Sequence, residues 1–78
     1  MYLEIISPDK VLYSGNVKYV KVPGSKGSFG ILKNHAAVIS TLDKGVVKIT
    51  NENDKEENLE VSGGVVEVLN NNIIILAK

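Results

Sequence analysis

An all-β sandwich or barrel is predicted for this chain from three observations. Apolar and polar residues alternate with a period of two in short runs, as in Leu3-Glu4-Ile5 and Val20-Lys21-Val22. Turn-forming residues interrupt those runs at intervals of roughly 6 to 12, the spacing expected of stacked short strands. No stretch of the chain requires a helix. Its 78 residues suit one domain, 1–78, without a linker, an internal repeat or a low-complexity segment. A chain of that size buries only about 60% of its unfolded surface, so its core is thin and a larger partner would help it.

The elements follow in order. Leu3 and Ile5 mark a half-buried first strand, closed by the turn Pro8-Asp9-Lys10. Val11–Ser14 and Val17–Val22 flank Gly15-Asn16, which predicts a hairpin with a two-residue loop. Gly24, Gly27 and Gly30 then recur at three-residue spacing within Gly24-Ser25-Lys26-Gly27-Ser28-Phe29-Gly30. Such density predicts a tight, shaped loop, because glycine serves where the backbone takes positive φ or approaches another surface closely. Phe29–Leu32 is a short return strand, Lys33-Asn34 is irregular, and Ala36–Leu42 is a longer apolar run ended by Asp43-Lys44-Gly45. Val46–Thr50 alternates again. The segment Asn51–Asn58 holds no apolar residue and is expected to be a solvated tip before Leu59–Val61. Ser62-Gly63-Gly64 predicts a bulge or a close strand crossing. Val65–Leu69 and Ile73–Ala77 form a last hairpin around Asn70-Asn71-Asn72, where asparagine tolerates left-handed backbone.

Composition narrows the function. Nine lysines balance nine acidic residues, and arginine is absent. A neutral chain without the guanidinium fork is ill suited to gripping a phosphate backbone, so nucleic acid is not expected as a partner. The longest apolar run, Ile73–Ala77, falls far short of the roughly 20 residues a membrane-spanning helix needs. Neither a secretion signal nor a transit peptide is visible at Met1-Tyr2-Leu3-Glu4. Without cysteine there is no disulfide framework and no thiolate metal site, which is compatible with a reducing compartment.

The candidate chemistry is sparse. His35 is the only histidine and the only side chain whose ordinary pKa lies near neutrality. It lacks a companion nucleophile, an orienting carboxylate in sequence register, and the second and third ligands of a metal site. A loop histidine satisfying backbone carbonyls, or docking on a partner, is the commoner case. The glycine loop leads into strand-like residues rather than a helix and lacks the Gly-Lys-Ser/Thr ending, so phosphate cradling is not expected. Ser62-Gly63-Gly64 lacks the frame of a nucleophile elbow. Asn51–Asn58 lacks the order and closing glutamate of a calcium loop. Neither catalytic, metal nor cofactor residues are therefore expected. Lys44 in its turn raises an alternative: lipoyl and biotinyl carrier domains are small all-β units that present one lysine on a hairpin tip. The neighbouring Met or Ala and the internal repeat of those domains are missing here.

Two separated stretches carry a resemblance. Gly24-x-x-Gly27-x-Phe29-Gly30-Ile31 followed by His35-Ala36, and Val61-Ser62-Gly63-Gly64-Val65-Val66-Glu67-Val68 downstream, resemble the N-terminal domain of the epsilon subunit of F-type ATP synthases. The likeness extends through Leu3–Pro8, Tyr13–Val17, Gly45-Val46 and Leu76-Ala77, essentially the whole chain. Ala37 stands where the family commonly has proline, which frees the backbone entering the next strand.

The resemblance implies a flattened β-sandwich of two antiparallel, roughly five-stranded sheets. It implies a non-catalytic rotor subunit of the central stalk that joins gamma to the c-ring and couples ion flow to ATP synthesis. Lys26, Gly27, Ser28, Phe29 and Gly30 would face the c-ring, and His35, Ala36 and Val46 would face gamma. The absent transit peptide favours a bacterial member over the mitochondrial counterpart, called delta, that shares this fold. Its expected place is the cytoplasmic face of the plasma membrane, bound peripherally and without insertion. Many members continue into a C-terminal helical hairpin that inhibits ATP hydrolysis and in some bacteria binds ATP. This sequence ends at Lys78, and neither property is expected of it.

Overall fold

The computed structural model describes residues 1–78. Eight strands follow one another: β1 (Tyr2–Ile6), β2 (Val11–Val22), β3 (Phe29–Leu32), β4 (Val38–Leu42), β5 (Gly45–Asn51), β6 (Glu56–Val61), β7 (Gly64–Leu69) and β8 (Asn72–Ala77). There is no helix, hence none long and apolar enough to cross a membrane. Pairing runs continuously in the order β4-β7-β8-β1-β2-β5-β6, and β3 adds to β2.

The strand β2 is the joint of the fold. Its residues Val11–Asn16 pair with β1, and Val17–Val22 pair with β5 and β3. The predicted hairpin at Gly15-Asn16 is therefore corrected: Gly15 lies opposite Leu3 in an unbroken strand. The Gly-Asn signal marked a real change, but it is the hand-over of one strand between two sets of partners. Where β2 changes partners, the Val17 N–H donates to the Met1 carbonyl at 2.8 Å, and the β2–β5 register slips between Val17 and Tyr19. A strand shared in this way curls the sheet so that its two halves face each other.

The expected pair of antiparallel five-stranded sheets needs correction on two counts. One half holds five strands, β4, β7, β8, β1 and the start of β2, whereas the other holds β3, the end of β2, β5 and β6. Moreover β1 and β8 run parallel, with Leu3 opposite Ile73 and Ile5 opposite Ile75. No tight turn links these two, since they are the first and last strands; parallel neighbours need only a long connection, which the rest of the chain supplies.

Between the halves lies one cluster of 15 buried apolar residues. Leu3, Ile5, Val66, Val68, Ile73 and Ile75 come from one side, and Val20, Val22, Ile31, Val47, Ile49 and Val61 from the other. No charged or polar side chain is buried with them. Strand alternation explains the selection, because inward residues recur at every second position along each strand. Asn70 and Asn71 have φ of 50° and 62°, the left-handed backbone that asparagine tolerates, but the turn is one residue shorter than expected, because Asn72 already pairs with Leu69 in β8. Gly64, at φ 145°, sits so close to β8 that a Cβ would overlap the Leu76 carbonyl oxygen.

Candidate functional site

The glycine loop is pinned to the end of β4. The Ser25 N–H donates to the Thr41 carbonyl at 3.0 Å, the Asp43 N–H donates to the Pro23 carbonyl at 2.8 Å, and the Thr41 hydroxyl donates to Ser25 Oγ at 2.9 Å. Within the loop the Gly27 N–H reaches back to the Gly24 carbonyl at 3.0 Å. Gly24 is buried, and a Cβ there would stand 2.6 Å from the Gly27 oxygen and 2.9 Å from the Phe29 ring, so its glycine requirement is steric. Gly27 takes φ 125° at the open apex, where glycine is needed for the backbone alone.

Of the five residues expected on one interface, Lys26, Gly27 and Ser28 project as an exposed tip. Phe29 is partly buried against the core and its ring stacks on His35 with centroids 6.4 Å apart, whereas Gly30, on the opposite face of β3, is covered by the Tyr19 ring. His35 Nδ1 lies 2.7 Å from the Ala36 carbonyl, which makes it the donor on that side, and the His35 N–H donates to the Leu32 carbonyl at 3.1 Å. This is a histidine satisfied by backbone, with no carboxylate orienting it. Lys26, Phe29 and His35 share one groove of about 470 Å³ with Val38, Ile39 and Thr41 of β4. Residues assigned by sequence to two different interfaces thus meet in a single depression.

Val46 lies elsewhere, in a second shallow groove beside Lys44 and Glu60. β4 leads from the His35-Ala36 end to Leu42, and Asp43-Lys44 carries the chain to Val46, so the three residues flank the two ends of one strand. Lys44 does not occupy a hairpin tip. The strands on either side of it are not paired to each other, since β4 pairs β7 whereas β5 pairs β2 and β6. That removes the geometric basis of the carrier-domain alternative.

One surface escaped the reading of the sequence. Across β4, β7, β8 and β1, Ile39, Glu67, Ile74 and Glu4 stand side by side in one row facing outward, and Thr41, Val65, Leu76 and Ile6 form the next. Ile39 is 71% exposed and Leu76 54%, and Leu69 and Tyr2 continue the same face. The signal was present in Ile73–Ala77: a continuous apolar run, unlike an alternating one, makes both faces of its strand apolar.

Comparison with known proteins now decides the family. The family model for the ATP synthase delta/epsilon chain β-sandwich domain matches residues 1–78. This chain belongs to that family. Among its relatives, the ATP synthase epsilon chain of Leptospira borgpetersenii serovar Hardjo-bovis is 47% identical over 74 residues, 95% of this chain and 58% of the relative. The epsilon chain of Dichelobacter nodosus is 47% identical over 73 residues, 94% of this chain and 51% of the relative. The chain thus spans little more than half the length of these relatives. Among solved structures, it superposes with a TM-score of 0.91 on a chain of the Euglena gracilis mitochondrial ATP synthase OSCP/F1/c-ring assembly, at 21% identity over 96% of this chain and 48% of that one. A chain of the Tetrahymena thermophila ATP synthase central stalk/c-ring gives 0.82 at 19% identity, covering 99% and 62%. At those identities the superpositions establish a shared fold.

Proposed function

We propose that this delta/epsilon-family domain is a non-catalytic coupling piece of the central stalk of an F-type ATP synthase, docking on gamma through β4 and its flanks and on the c-ring through the glycine loop. The observation that carries this is the outer face of the five-stranded half, where Tyr2, Ile39, Leu69, Ile74 and Leu76 are all exposed on one side. An apolar patch of this extent is the mark of an interface. Ala36 and Val46, small and exposed at the two ends of β4, suit close approach of a larger subunit, and Lys26-Gly27-Ser28 suits polar contact with ring loops. No cofactor is needed for such a role: torque passes through the contacts, and the chemistry belongs to other subunits. The domain then sits at the cytoplasmic face of a bacterial membrane, held by its partners.

Co-purification with the gamma subunit of the same organism tests the reading. A one-to-one complex surviving gel filtration is expected, and Ala36→Glu is expected to weaken it at least tenfold by burying an unpaired charge. Undiminished affinity of the variant removes Ala36 from the interface, and absence of any complex removes the central-stalk reading.

A further inference from the structure

The edge of β4 is open where the groove runs along it. Because the Thr41 carbonyl accepts from Ser25 and the Asp43 N–H donates to Pro23, the backbone groups of the odd-numbered residues 39, 41 and 43 point away from β7. The glycine loop covers only the Thr41 carbonyl and the Asp43 N–H. The Ile39 N–H, the Ile39 carbonyl and the Thr41 N–H have no partner in the chain.

Edge strands are ordinarily blunted by charge, proline or cover. β6 follows that rule with Glu56, Glu57 and Glu60, whereas β4, Val38-Ile39-Ser40-Thr41-Leu42, carries no charge at all. The groove beside it has the Phe29 and His35 rings as its other wall, and Lys26 closes it. Lys26 makes no ion pair, the only salt bridge of the molecule being Lys18–Asp54, and no carboxylate lines the groove.

We propose that β4 accepts an extended segment of the partner as an added strand, hydrogen-bonded to Ile39 and Thr41 and bearing a carboxylate that pairs with Lys26. Unsatisfied backbone donors in register supply the affinity of such strand addition, and side-chain pockets supply its specificity. The proposal rests on the central-stalk reading for the identity of the partner, the gamma subunit. It adds the mode of binding and the charge of the segment bound, and it moves Lys26 from the ring contact to the gamma contact, leaving Gly27 and Ser28 at the ring.

Residue-resolved amide exchange of the full chain, free and in complex with gamma, tests it. The Ile39 and Thr41 amides are expected to exchange at least tenfold more slowly in the complex. Ile39→Pro, which removes an outward N–H and leaves the β4–β7 ladder intact, is expected to weaken binding at least tenfold, and Ile39→Ala, which keeps that N–H, to weaken it less. Lys26→Glu is expected to weaken binding more at low than at high ionic strength. A complex in which both amides still exchange as in the free chain overturns strand addition and leaves the central-stalk reading standing. No complex overturns both, and protection of the same amides in a dimer of the free chain overturns the choice of partner.

Discussion

At the scale of single residues, the sharpest requirement falls on Gly64. Its φ of 145° and the overlap that any Cβ would make with the Leu76 carbonyl leave no room for a side chain between β7 and β8. Gly64→Ala is expected to destabilise the fold by about 2–4 kcal/mol, the sum of a strained backbone and a displaced strand, measured by urea denaturation. Gly27, with nothing near its Cβ position, pays only for its φ of 125°, so Gly27→Ala is expected to cost less. Tyr13 gives a pH signature. Burial raises its phenol above the ordinary value of 10.0, and the Glu57 carboxylate adds to the shift. A raised folded-state value means the native chain holds the proton more tightly than the unfolded one. Its contribution is complete below about pH 10 and is lost as pH rises through the folded value. Unfolding free energies from pH 8 to 12 are expected to fall less steeply above pH 10 in Tyr13→Phe than in the parent.

At the scale of elements, the Asn70-Asn71 turn does more than reverse the chain. Asn71 Oδ1 accepts the Asn34 N–H at 2.7 Å, and Asn71 Nδ2 donates to Asn34 Oδ1 at 3.2 Å, which ties the β7–β8 hairpin to the loop after β3. Asn34 and Asn71 both take positive φ, 66° and 62°. Asn71→Ala is expected to cost about 2 kcal/mol, combining the left-handed backbone with the lost hydrogen bonds. Asn71→Gly keeps the backbone and is expected to cost roughly half as much. Thermal midpoints of the two variants separate the contributions. The turn was legible because asparagine has a local reason to be there; its grip on Asn34, 37 positions away, was not.

At the scale of the whole molecule, β8 holds the fold together. It pairs β1 on one side and β7 on the other, and contributes Ile73, Ile75 and Ala77 to the core. Ending the chain at Asn71 is expected to abolish cooperative unfolding, with near-ultraviolet dichroism and dispersed amide resonances both lost. The first strand then has no partner on its outer side and the core is open to water. The parallel β1–β8 pair closes the longest loop in the chain, so its formation is expected to come late and to set a folding time of roughly milliseconds to seconds.

The sequence by itself determined the all-β class, six of the eight strand positions nearly as observed, the shaped glycine loop and the left-handed Asn70-Asn71 turn, whereas β6 starts at Glu56, inside the segment expected to be a solvated tip. Each rests on short-range physics: alternation of side chains along a strand, and the few residues able to take positive φ. Only the tertiary structure decided that Gly15 continues a strand, that β1 and β8 run parallel, that Phe29 and His35 meet, and that Ile39, Ile74 and Leu76 share an exposed face beside the open edge of β4. Those outcomes depend on which strands pair and in which register. Pairing joins residues far apart in the chain, and period-two alternation is the same whichever neighbour a strand acquires.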